Sequence, residues 1–453
     1  MITMHHLRNF LITLVCVLAF AQNAAEAQIA YTLIQRIDAE PVWSGHPVGF
    51  ALLTDGDQQF LAYYDAERNM TVAQRRLVEI TWTFKRLPTK IGWDSHNYVT
   101  MALDKNKYLH VSGNMHGHPL IYFRSEKPLD IESLQRIPAM VGTLEQRCTY
   151  PVFLTDPSGE LVFNYREGGS GDGSTLWNIY DPQTKQWTRL FDKPMFDGEG
   201  LVNAYHHGPL VGPDGYYHLC WMWRDTPDCE TNHTFSYARS KDLRRWENSK
   251  GEPMTLPFTR KTGEIIDDAK PGEGLFNPHQ QIGFDLQGRV ILSYTKYDEN
   301  GNNQVYNVWL EEGKWKYHQA TDWSYRWAFQ GRGSVPSEIS FGGVEIQDGR
   351  LVQTYSHRER ERSGRWFLDE NTLKPVERAP QAAVFPREIG AVELDFPGVS
   401  ARSTWDRADV GRPHQKGDVR YVMRWESQET NRDRPHPQTP PPAMLRVLKL
   451  EAK

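Results

Sequence analysis

The stretch Asp55-Gly56-Asp57-Gln58-Gln59-Phe60-Leu61-Ala62-Tyr63-Tyr64 decides the fold. A polar turn feeds directly into a short apolar and aromatic run, which is how a hairpin enters a strand. The arrangement recurs. Asp104-Lys105-Asn106 precedes Lys107–Val111, Asp156-Pro157-Ser158-Gly159 precedes Glu160–Tyr165, and Pro213-Asp214-Gly215 precedes Tyr216–Trp221. Asp285-Leu286-Gln287-Gly288 precedes Arg289–Tyr294, Asp348-Gly349 precedes Arg350–Tyr355, and a weaker seventh, Gly417-Asp418, precedes Val419–Trp425. Successive aspartates stand 49 to 71 residues apart. Between copies lie Trp187, Trp246, Trp315 and Trp366, each in a polar run.

That period leaves room for about four strands per unit. A four-stranded antiparallel unit cannot bury both faces alone, and closing the units into a ring solves this. The sequence therefore predicts an all-β fold, a seven-bladed β-propeller occupying residues 28–453 as one domain. Leu445–Leu450 alternates and is expected to complete the ring beside the first strand of the mature chain. A string of β-sandwich domains would need linkers, and the single Pro-rich stretch is Arg434–Ala443 near the end. No strong helical periodicity is present.

The 453 residues carry a net charge of −5, so an acidic partner must be met by a local cluster of cations. No basic stripe points to nucleic acid. Arg8 precedes the apolar run Phe10–Ala21, and Ala25-Glu26-Ala27 offers a small-x-small cleavage site before Gln28. Residues 1–27 read as a signal peptide, and the mature chain as a secreted or periplasmic monomer without a membrane span.

Functional residues of a propeller come from separate repeats. His96, in Trp93-Asp94-Ser95-His96, precedes the second copy, and His116, in Gly113-Asn114-Met115-His116, follows its strand. Tyr150, in Arg147-Cys148-Thr149-Tyr150-Pro151, precedes the third copy, and Arg166 ends its strand. A hairpin returns the chain to the same edge of its sheet, so each pair projects from one end of its blade, and neighbouring blades bring the pairs together. Two imidazoles, a phenol and a guanidinium suit elimination across a uronic acid. Arg neutralises the carboxylate, and His or Tyr moves the protons. His46, in Trp43-Ser44-Gly45-His46, is a second candidate, either a solitary acid or base or a strand-end histidine packed against Trp43. Arg224 and Tyr205 are candidate substrate-binding residues, with Arg224 alternatively paired to Asp225 or Asp228. Cys220 and Cys229 flank a loop with His206, His207, His218 and His233 nearby and His279 further on; two thiolates and two imidazoles would suit structural zinc. A Cys220–Cys229 disulfide is the alternative.

With these residues in place, the chain resembles the BNR-repeat propellers that include the ulvan lyases and the rhamnose–glucuronate lyases. The resemblance is most specific in Leu52–Arg75, Tyr108–His116, Asn164–Tyr180 and Trp221–Trp246. His96 and His116 stand 20 apart, and Tyr150 and Arg166 stand 16 apart, as in the catalytic set of those lyases. The gap between the two pairs is shorter, which touches the loop near Val141–Arg147. The resemblance implies β-elimination at a rhamnose–glucuronate linkage of an acidic polysaccharide such as ulvan. It also implies a structural zinc held by Cys and His, for which Cys220, Cys229, His233 and His279 are the expected ligands. Related α-L-rhamnosidases use a single His on the opposite face, matched in position by His46, so hydrolysis releasing rhamnose from arabinogalactan is the alternative. A carbohydrate-binding propeller without turnover is the third.

Overall fold

Three of the recurrent aspartates close the turns that they open. The Asp104 Oδ1 accepts the backbone N–H groups of Asn106 (2.8 Å) and Tyr108 (2.9 Å), and Asp156 does the same for Ser158 (2.9 Å) and Glu160 (2.8 Å). Asp285 repeats it with Gln287 (2.9 Å) and Arg289 (2.8 Å). A short carboxylate that satisfies two turn amides fixes the hairpin locally. In the computed structural model, which describes residues 29–358, 363–410 and 412–453, these hairpins organise seven sheets, antiparallel apart from the pairing of Ile29–Val42 with Ala383–Val384.

The sheets are the blades of a seven-bladed β-propeller. The first runs through Ala51–Asp55, Gln58–Tyr64, Asn69–Arg76 and Thr83–Lys90, and the quoted turn joins its first two strands. In all seven blades the recurrent turn leads into the second strand. The first strands of neighbouring blades touch one another around the centre. Trp187, Trp246 and Trp315 lie on fourth strands as the repeat implies, whereas Trp366 lies on a third strand, Gly364–Leu368. The described residues contain no α-helix and no helix long and apolar enough to cross a membrane.

Ring closure joins the first and last strands of the described residues. Ile29–Val42 pairs antiparallel with Ala443–Ala452, which continues through Val419–Gln428 to Val399–Trp405 to make the seventh blade. The closing strand buries Leu445, Val447, Leu448 and Leu450 completely. The expected signal peptide lies outside the described residues.

The core sits between blades. Phe153, Phe163 and Tyr165 of the third blade pack with Met115 and Tyr122 from the second. Burying side chains of this size contributes roughly 1.5–3 kcal/mol each. The resulting rigidity holds the loops at one end of the ring in fixed relation.

Candidate active site

Four segments bring the candidate residues to the end of the ring where the first strands begin. His96 lies in the link between Thr83–Lys90 and Val99–Leu103. His116 opens a three-residue strand, His116–His118, that leaves the second blade and pairs with Cys148–Thr155 of the third, with His116 opposite Thr149. Thr149 also stands opposite Arg166 on Leu161–Glu167. Between Thr149 and Val152 the register slips, and this bulge carries Tyr150 at φ +56°. A left-handed conformation at a tyrosine stores roughly 1–3 kcal/mol of strain, and bulges turn side chains out of the regular pleat.

The side chains converge. The His96 and His116 rings lie 4.4 Å apart, and the Tyr150 ring lies 6.0 Å and 6.1 Å from them. The Arg166 guanidinium sits 5.0 Å from the Tyr150 ring centre and 5.9 Å from that of Tyr205. Arg166 and Arg224 both donate through Nη1 to the Tyr205 hydroxyl, at 3.4 Å and 3.3 Å, and Ser170 shares that hydroxyl at 2.8 Å. Thus the structure assembles His96, His116, Tyr150, Arg166, Tyr205 and Arg224 as one continuous group. Arg166 is only 5% exposed and its Nε has no protein partner, so the guanidinium forms the floor of the site. The alternative pairing of Arg224 with Asp225 or Asp228 is not formed. Arg224 bonds the carbonyls of Thr226, Pro227 and Asp228 instead, and Asp225 pairs with His233 at 2.9 Å.

Asp94 is the residue that the sequence reading left without a role. Its carboxylate accepts the His96 Nδ1 at 2.7 Å on one oxygen and the His116 Nδ1 at 2.5 Å on the other. Both imidazoles are thereby fixed as Nδ1–H tautomers with Nε2 turned away from the carboxylate. Partial burial raises the Asp94 pKa, but the two imidazole hydrogen bonds outweigh it and hold the carboxyl below the usual carboxylate range. Asp433, from the Pro-rich connection of the seventh blade, lies 3.5 Å from the same His96 nitrogen. The signal for Asp94 was its place two residues before His96. The partner His116 is brought in only by the fold.

Two phenols are held differently. Burial, reinforced by the neighbouring Tyr205, pushes the Tyr150 pKa up. Burial also raises that of Tyr205, but Arg224 and Arg166 together bring it below the ordinary tyrosine value.

His46 is not on the opposite face. It precedes the first strand of its blade as His96 does, and it packs 5.7 Å from the Trp93 ring beside the backbone of Asp94. It is 2% exposed, its Nδ1 accepts from Trp43 Nε1 at 2.9 Å, and burial drives its pKa down to about 4. It is an enclosed neutral ring behind the site.

The expected zinc ligands are not brought together. Cys220 packs with Met222, Phe235 and Ile282, whereas Cys229 packs with Phe276 and Trp327, and both thiols are free. The His279 ring nitrogens lie within hydrogen-bond reach of Thr295 (3.1 Å) and Ser337 (3.0 Å), and those of His233 of Thr234 and Asp225. Burial raises the pKa of both thiols, which disfavours the thiolates zinc requires. These four residues do not fit a shared ion. Among the described residues the one group of three donors within 4.8 Å of one another is Asp94, His96 and His116.

The family model described as "BNR repeat-containing family member" matches residues 58–323, more than half of the chain. The chain belongs to the BNR repeat-containing family. The short isoform of ulvan lyase from Alteromonas sp. (strain LOR) is 28% identical over 167 residues, 32% of this chain and 31% of that protein. A long isoform from Pseudoalteromonas sp. (strain PLSV) is 30% identical over 122 residues, 25% of this chain and 12% of that protein. The aligned segment thus spans about a third of the shorter relative. In fold, the polysaccharide lyase Uly1 superposes with a TM-score of 0.60 at 14% identity, covering 92% of this chain and 99% of that one. A PL25 ulvan lyase bound to -[GlcA(1-4)Rha3S]- gives 0.55 at 13%, covering 90% and 95%.

Proposed function

We propose that this BNR-repeat propeller is an exported polysaccharide lyase that cleaves rhamnose–glucuronate linkages of an acidic polysaccharide such as ulvan by β-elimination. The observation that carries this is the convergence of two Asp94-held imidazoles, Tyr150 and the Arg166 guanidinium across two blades. The names of the relatives, and the glucuronate-containing fragment bound to one of them, point the same way.

Elimination requires removal of the proton on the carbon beside the carboxylate. The substrate's own negative charge resists this. Arg166 supplies a buried positive charge at the floor of the site, and Tyr205, polarised by two guanidinium groups, presents its hydroxyl above it. Neutral Nδ1–H imidazole offers Nε2 as the base that takes the proton. The electron pair forms the double bond, and the glycosidic C–O bond breaks. Tyr150 keeps its proton because burial raises its pKa, so it is suited to donate to the departing oxygen. The products are an unsaturated uronate and a new sugar hydroxyl.

The hydrolytic alternative has less support, because His46 is enclosed and neutral. Incubation with ulvan and with gum arabic separates the readings. Elimination yields ultraviolet-absorbing conjugated product without free rhamnose. His116→Ala is expected to abolish it, whereas His46→Ala sparing no activity while His116→Ala remains active would reverse the assignment.

A further inference from the structure

At the opposite end of the ring, between the sixth and seventh blades, lies a cavity of about 1040 Å³ that the elimination chemistry does not use. We propose that this cavity is a second, non-catalytic saccharide site that takes a neutral sugar segment of the polymer. The proposal rests on the reading that the protein meets a polysaccharide.

Position comes first. His96 precedes the first strand of its blade, whereas Trp405 ends the first strand of the seventh, Val399–Trp405, so the two lie at opposite ends of the ring. The cavity is therefore not an extension of the cleft holding Tyr150. Its volume is at the top of the roughly 300–1000 Å³ usual for ligand pockets.

The lining has the two properties a sugar needs. Half-buried Phe385 and Trp405 offer ring surface, 4.9 Å apart at 56°, and Tyr31 stacks behind Phe385 at 5.0 Å. The apolar faces of pyranose rings pack on such surfaces. Around them, charges come in pairs: Arg365 with Glu345 (2.8 Å), Arg412 with Asp409 (2.8 Å) and Arg420 with Asp418 (3.2 Å). Matched pairs leave no surplus cation for a phosphate or a uronate. They offer donors and acceptors side by side, which is what vicinal hydroxyls bridge. Arg420 is 4% exposed, lines the cavity, and has an Nε without a protein partner, a buried donor left to be satisfied.

The test uses the full-length protein in an Arg166→Ala background, which weakens the cleft, and native gels containing ulvan or gum arabic. Retardation in at least one gel is expected, and adding Trp405→Ala should weaken it about tenfold, the worth of one stacked ring. Trp405→Ala alone should leave turnover of a short ulvan oligosaccharide unchanged. Unchanged retardation, or parallel loss of oligosaccharide turnover with intact thermal stability, would overturn the proposal. Should Trp405→Ala fail to fold, Phe385→Ala decides on the same criteria. If no elimination product ever forms, the lyase reading fails while the retardation arm still tests the cavity.

Discussion

Asp94 accepts from two imidazoles at once, and this one carboxylate sets the tautomer of both. Asp94→Asn retains the shape but keeps a single acceptor oxygen, so it can accept from only one of the two Nδ1–H groups. The expected result is a loss in kcat of roughly 100-fold or more, with an unchanged melting temperature. Arg166 depends on a neighbour without a side chain. A Cβ at Gly173 would lie 2.7 Å from Arg166 Cδ, so Gly173→Ala should displace the guanidinium and lower kcat/KM by up to about 100-fold. Wild-type kinetics from that variant would show that Arg166 is not held by this contact. A cation among Asp94, His96 and His116 would replace both Nδ1 protons. Excess Zn²⁺ is therefore expected to inhibit and a chelator to leave turnover unchanged; activation of chelated protein by Zn²⁺ would contradict this. At this scale the sequence was informative about residue types, since His96, His116, Tyr150 and Arg166 could be picked from their positions around two hairpins. It was silent on Asp94 reaching His116, because that contact joins segments 22 positions apart through a strand crossing between blades.

Among the elements, the hairpins were legible because their cause is local: an aspartate, two amides and the strand that follows. The crossover of His116–His118 onto the third blade was not, since it depends on edge pairing with Cys148–Thr155. The four expected zinc ligands do not come together, for a related reason. Nearness in sequence around Cys220 and Cys229 says nothing of the cores into which each strand or turn directs its thiol, and these are different. Ring closure was readable in the alternation of Leu445–Leu450, and it carries a stability consequence. Leu448 is fully buried against Tyr31, Val422 and Leu450. Leu448→Ala should cost about 2–5 kcal/mol in denaturant unfolding. A cost under roughly 0.5 kcal/mol, the level of an ordinary surface substitution, would show that the closing strand is not a tight part of the core.

Across the whole molecule, buried histidines tie folding to pH. His46 and His279 are both enclosed, and burial lowers each pKa to about 4 from 6.5. The unfolded chain takes up these protons as pH falls below 6.5, while the folded chain resists until about 4, so stability declines across that window and levels off below it. Between pH 7 and pH 5 the two together should remove roughly 4 kcal/mol. Equilibrium unfolding at both pH values checks this, and a flat profile that persists in His46→Gln would contradict it. The packing of His46 against Trp43 was legible, since the two stand three residues apart, whereas the Trp93 ring that closes over it comes from the link to the next blade and was not.

The most direct measurement is the product formed from ulvan by the wild-type protein and by Tyr150→Phe, followed by ultraviolet absorbance and free-sugar assay together. Elimination by the converged side chains gives rising absorbance with no free rhamnose from the wild type, and neither signal from Tyr150→Phe. Free rhamnose without absorbance, or undiminished absorbance from Tyr150→Phe, would contradict it.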